Sequence, residues 1–108
     1  MNTISISGRL TQDPVIQKFE SSTKCTFFIA NNVYYGENKT TNFLKVFAWN
    51  KKAELIQKYF KTGMEIFING RLEQYRYEDE NQKTVYDNSI VLEEFEFGNN
   101  PKSQDSTD

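Results

Sequence analysis

The chain has 108 residues, 37% of them hydrophobic, which is enough for one domain with one sheet-based core. No apolar run approaches the roughly 20 residues of a membrane-spanning helix. With no histidine and a single cysteine, Cys25, it can build within one chain no His/Cys zinc site, no Ser-His-Asp or Cys-His catalytic set and no disulfide. The formal charge of −2 conceals an asymmetry: residues 1–77 carry eleven basic against six acidic side chains, and residues 78–108 carry two against nine, so a basic face remains available.

Met1-Asn2-Thr3-Ile4 enters an alternating pattern at once, without the basic and apolar regions of a signal peptide. Ile4 to Leu10 alternates apolar and polar residues, as a half-buried strand does. Gly8 within it suggests a bend or bulge, and Asp13-Pro14 marks a turn. A second strand covers about Lys24 to Val33, with Cys25, Phe27 and Ile29 on one face. The polar run Gly36 to Thr41 reads as a loop, and Asn42 to Trp49 as the third strand.

Asn50 is the expected N-cap of a helix carrying Ala53, Ile56 and Phe60 at helical spacing, with Gly63 expected at its C′ position. A fourth strand runs from about Met64 to Tyr77. An acidic turn follows at Glu78 to Lys83, then a fifth strand from Thr84 to Phe97. Beyond Gly98, residues 99–108 have nothing to bury and are expected to be disordered. Five strands with one short helix between the third and fourth is the element order of an all-β OB-fold barrel, residues 1–98 forming the domain.

The third strand carries the most information. In Phe43-Leu44-Lys45-Val46-Phe47-Ala48-Trp49, Leu44, Val46 and Ala48 suit a barrel interior, which turns Phe43, Lys45, Phe47 and Trp49 outward. The opposite assignment would pack the aromatic set in the core and place Lys45 there too, and lysine is almost never buried unless paired. Tyr75-Arg76-Tyr77 repeats the aromatic-basic mixture at the end of the fourth strand. These are the residue types a single-stranded nucleic acid needs: a ring for each base face and a cation for each phosphate.

The chain resembles the bacterial-type single-stranded DNA-binding proteins from about Asn2 to Phe97. The likeness rests on Gly8-Arg9-Leu10 followed by Asp13-Pro14, on Asn42 to Val46 with Trp49, on Lys52-Ala53-Glu54 with Tyr59 and Gly63, and on Ile68 to Leu72 with Arg76-Tyr77. It implies stacking roles for Tyr35, Phe43, Trp49 and Tyr77, with Tyr34, Phe47 and Tyr75 as neighbours. It implies phosphate contacts for Lys45, Lys51, Lys61 and Arg76, to which Arg9 is added. Sequence-indifferent binding and protection of single-stranded DNA in replication, recombination and repair would follow, by a homotetramer or a dimer.

Glu73 departs from the family, standing where a basic residue is usual, and implies a weaker dependence on phosphates. The family's acidic, Pro-Phe-tipped tail, which docks replication and repair proteins, has no counterpart at Ser106-Thr107-Asp108. A primosomal accessory protein of the same fold and a protein-interaction OB domain share much of this pattern. Neither a phosphate-binding Gly-rich loop nor a Rossmann fingerprint is present, and the carboxylates at Glu78-Asp79-Glu80 and Glu93-Glu94 read as solvated turns. Enzyme activity, cofactor and metal are therefore not expected. The expected setting is the cytoplasm, with an organelle such as a plastid as the alternative.

Overall fold

In the computed structural model, which describes residues 1–100, the alternating segments form β1 (Ile4–Leu10), β2 (Val15–Lys18), β3 (Thr23–Tyr35), β4 (Asn38–Trp49), β5 (Glu65–Glu78) and β6 (Thr84–Phe97). The single helix α1 (Lys51–Tyr59) lies between β4 and β5. Antiparallel pairs join β1 to β5, β5 to β6 and β3 to β4, while β4 meets β6 in parallel at Val46–Ile90 and Phe47–Val91. Pairing of Arg9 with Ala30 and Leu10 with Ile29 returns β1 to β3 and closes a five-strand ring. This is the expected OB-fold barrel.

The interior is the apolar half of each alternation. Cys25, Phe27 and Ile29 of β3 face Val46 and Ala48 of β4, Ile66 and Ile68 of β5, and Ile90 and Leu92 of β6, all buried. Ala53 and Ile56 turn the apolar stripe of α1 into the same core, and Phe60 stacks on Phe97 with centroids 4.8 Å apart. Burial and its desolvation push the Cys25 thiol up to about 11. Cys25 is therefore expected to resist a disulfide reagent at pH 8 in native buffer and to react fully in denaturant, because only about one thiol in a thousand is ionised there even before burial blocks access. Fast labelling of the native protein would mean that the barrel opens locally.

Several local expectations are corrected. β2 carries no strong alternation in its four residues and was not foreseen as a strand. It forms because its backbone pairs with β3 from Val15–Thr26 to Lys18–Thr23. The run Gly36 to Thr41 is not a loop. Only Gly36 and Glu37 turn, Gly36 at φ 62° as the primed hairpin turns require, and Asn38 to Thr41 belong to β4. That ribbon projects beyond the core, so neither face selects for apolar residues.

Asn50 sits at the cap position, yet its side chain accepts the Thr23 N–H at 3.1 Å instead of capping the helix. The helix ends at Phe60 in an extended conformation, so Gly63 lies beyond C′, in the turn to β5, where its N–H donates to the Leu10 carbonyl at 2.8 Å. Gly8 holds regular register with Ile66, without a bulge. It is needed for close approach, since a Cβ there would lie 2.8 Å from the Ala30 carbonyl oxygen. Beyond Gly98, Asn99 donates its N–H to the Glu65 carboxylate at 2.6 Å, and Asn100 accepts the Glu65 N–H at 2.8 Å. The rest of the expected disordered tail, 101–108, lies outside the described residues.

Candidate nucleic-acid interface

The outward face of the β3–β4 pair follows from register. Phe43 lies across from Ala30, Lys45 from Phe28, Phe47 from Thr26 and Trp49 from Lys24, each pair on one side of the sheet. The aliphatic set of β4 is inside, with Val46 and Ala48 buried and Leu44 packed against the core. Phe43 is 68% exposed and Trp49 40%, while Lys45 and Phe47 between them are half-buried. Exposed rings of this size in a row are unusual for a surface that meets only water.

Cations sit among the rings. Lys24 Nζ lies 4.0 Å above the centre of the Phe47 ring and 5.7 Å from that of Trp49. Lys45 Nζ donates to the Tyr75 hydroxyl at 2.7 Å, and that hydroxyl donates to Asp87 Oδ2 at 2.9 Å. The Tyr75 hydrogen bond, with the charge of Asp87 behind it, raises the pKa of Lys45 and keeps it a cation. This chain of contacts also draws the β5–β6 ribbon against β4. Tyr75 and Tyr77 lie on that ribbon's same side, ring centroids 6.2 Å apart and 30° from parallel. Between ribbon and face runs a groove of about 530 Å³ lined by Lys24, Lys45, Phe47, Trp49, Glu73 and Tyr75.

Other expected site residues are placed less uniformly. Tyr34 continues the even-numbered outward positions of β3, whereas Tyr35 falls on the alternate face of the projecting hairpin. Arg76 opposes Tyr86, on the side of the β5–β6 ribbon away from Tyr75 and Tyr77. Arg9 shares a row with Ala30 and Phe43 across β1, β3 and β4, its guanidinium donating to the Gly63 carbonyl at 2.9 Å. Lys51 begins α1, separated from Trp49 by Asn50 alone. Lys61 lies in the turn after α1, near Asp13, whose carboxyl is held below its ordinary value mainly by hydrogen bonds from Thr62 and less by the Lys61 charge.

Residues the sequence reading passed over complete the face. Lys24 and Phe28 were legible from the alternation of β3, which assigns them the side opposite Cys25 and Phe27. Asp87 and Phe19 carried no local signal, since both are brought in by pairing across distant strands. The face also holds acid. Arg71, the remaining basic residue on that side of β5, gives its Nε to Glu73 at 3.0 Å and its Nη1 to Glu93 at 3.2 Å.

The model of the single-strand binding protein family matches residues 1–98. The chain belongs to this family. A protein named single-stranded DNA-binding protein from Fusobacterium nucleatum is 35% identical, over all of this chain and 73% of its own length. Single-stranded DNA-binding protein 1 of Clostridium acetobutylicum is 35% identical over 90% of this chain and 93% of its own. A solved structure described as "Plasmodium falciparum SSB complex with ssDNA" superposes with a TM-score of 0.84, covering 92% of this chain and 96% of that one. At 20% identity the likeness is one of fold. The family is a binding family. Among the described residues no helix is long and apolar enough to cross a membrane.

Proposed function

We propose that the protein binds single-stranded DNA without sequence preference and protects it while it is open in replication, recombination and repair. The observation that carries this reading is the outward row Phe43–Phe47–Trp49, its two end rings exposed, with Lys24 and Lys45 set beside the Phe47 ring. Bases stack on these rings and on Tyr75 and Tyr77, while phosphates meet Lys24, Lys45 and Arg9. Membership of the family and the names of its relatives support the same reading.

Trp49 is the chain's one tryptophan, so the test is direct. Adding oligo(dT) should quench its emission, and salt should reverse the quenching. An unresponsive Trp49 whose protein also fails to bind labelled oligo(dT) would turn the reading toward a protein-interaction face.

The charge arrangement makes the salt dependence informative. Each phosphate contact contributes about −0.7 to the log–log slope for single strands, and Arg71 is held by two carboxylates. The expected slope is shallow, about −2 for three engaged cations. Replacing Glu73 and Glu93 together by glutamine should free Arg71 and steepen it by about 0.7. An unchanged slope in the double variant would show that Arg71 is not on the DNA path.

The functional form is proposed to be a homo-oligomer, the tetramer implied by the family resemblance. The edge of β1 away from β5, which pairs with β3 only at Arg9 and Leu10, and the half-exposed Phe67 on β5 support self-association. A reducing compartment, the cytoplasm above all, suits the buried free thiol of Cys25.

A further inference from the structure

The turn between β2 and β3 carries a phenylalanine that the fold does not require. Turns of this length favour Gly, Asn, Asp, Pro and Ser, and Ser21 and Ser22 meet that need, while the Ser22 backbone carbonyl accepts the Phe19 N–H at 2.8 Å. The Phe19 ring is 47% exposed and is not one of the residues that build the core. It lies instead against Trp49, with centroids 6.4 Å apart and planes 29° from parallel.

The pair stands at the end of the Phe43–Trp49 row, where β4 passes into α1, so the row of rings does not stop at Trp49. Beside Phe19 is a hollow of about 380 Å³, bounded by Lys18, Phe19, Ser22, Asn50 and Lys51 with Glu20 and Glu54. That is within the roughly 300–1,000 Å³ typical of sites for small organic groups. Its two lysines are matched by two carboxylates. The rest of its lining is polar, so the Phe19 ring is the one apolar surface it offers.

We propose that Phe19 is a further base-stacking residue, so that a nucleic-acid strand lying on the β4 row continues past Trp49 and over the β2–β3 turn, placing one more base on the Phe19 ring. This rests on the single-strand binding reading and extends it to an element outside the β3–β4 and β5–β6 faces. The requirement is an aromatic plane. An aliphatic side chain of similar bulk can still cover Trp49 but offers a base nothing to stack on.

The test uses the full chain with labelled oligo(dT), in wild type, Phe19→Ala, Phe19→Leu and Phe19→Tyr, with thermal unfolding as the check on the fold. Both Phe19→Ala and Phe19→Leu should bind at least about 5-fold more weakly and occlude about one nucleotide fewer, at unchanged melting temperature, while Phe19→Tyr keeps wild-type binding. If Phe19→Leu binds like wild type, Phe19 is only a prop for Trp49 and the proposal is overturned. An indifferent Phe19→Ala overturns it equally. A wild-type protein that does not bind oligo(dT) at all removes the single-strand reading itself, and this inference with it.

Discussion

Replacing Phe43 with alanine is expected to weaken oligo(dT) binding by about 5- to 150-fold, the range that corresponds to loss of one base–aromatic stack of roughly 1–3 kcal/mol. Phe43 is the most exposed phenylalanine of the described face and makes no aromatic pair among the described residues. Its loss should therefore leave the folding free energy within about 0.5 kcal/mol of wild type, as surface substitutions usually do. Trp49 remains in this variant, so one fluorescence titration measures binding and one thermal scan measures stability. A Phe43→Ala protein that is destabilised by several kcal/mol would mean that the ring is part of a core. One that binds as tightly as wild type would remove Phe43 from the interface.

Gly70→Ala is expected to do the reverse, damaging the fold first and binding only as a consequence. Gly70 lies opposite a bulge in β6, where Asn69 pairs with Glu94 and Gly70 with Leu92, leaving Glu93 as the extra residue. A Cβ at this position would be driven against the backbone carbonyl of Val91, which cannot rotate away as a side chain could. Overpacking of this kind costs roughly 1–3 kcal/mol and more where backbone must move, so a fall in melting temperature on the order of 10 °C is expected. Val91 is also the residue that pairs with Phe47 across the parallel β4–β6 contact. Displacing it loosens the seam that holds the β5–β6 ribbon against the aromatic row. A melting temperature within 2 °C of wild type, taken as about 0.5 kcal/mol or less, would show that the bulge absorbs the methyl group.

The interface that emerges binds more by rings than by charge. Of the cations on the face, Lys24 is engaged with the Phe47 ring, Lys45 with Tyr75 and Arg71 with two carboxylates. None of these engagements is buried deeply enough to forbid a phosphate contact. Each must be exchanged for one, however, which lowers the net gain from counterion release. The negative surplus of residues 78–108 is partly responsible, since Asp87 and Glu93 bring it onto the same side of the barrel.

Much of this was determined by the sequence alone, wherever one strand's own alternation was the cause. Lys45 among Phe43, Phe47 and Trp49 settled which side of β4 faces out, because a lysine and three large rings cannot share so small a barrel interior with Phe27 and Ile29. The order of five strands and one helix, and the unbroken fifth strand from Thr84 to Phe97, were legible for the same reason. The tertiary structure alone decided what depends on partners far away in the chain. It made a strand of Val15–Lys18 by pairing it with β3, and extended β4 through residues 38–41 that bury nothing. It set Tyr35 and Arg76 on the sides of their ribbons away from the aromatic row and from Tyr75 and Tyr77, since register rather than composition chooses the face of a projecting ribbon. It also supplied Asp87 beside Tyr75 and Phe19 beside Trp49, and it placed Lys24, whose outward side the alternation of β3 already assigned, over the Phe47 ring.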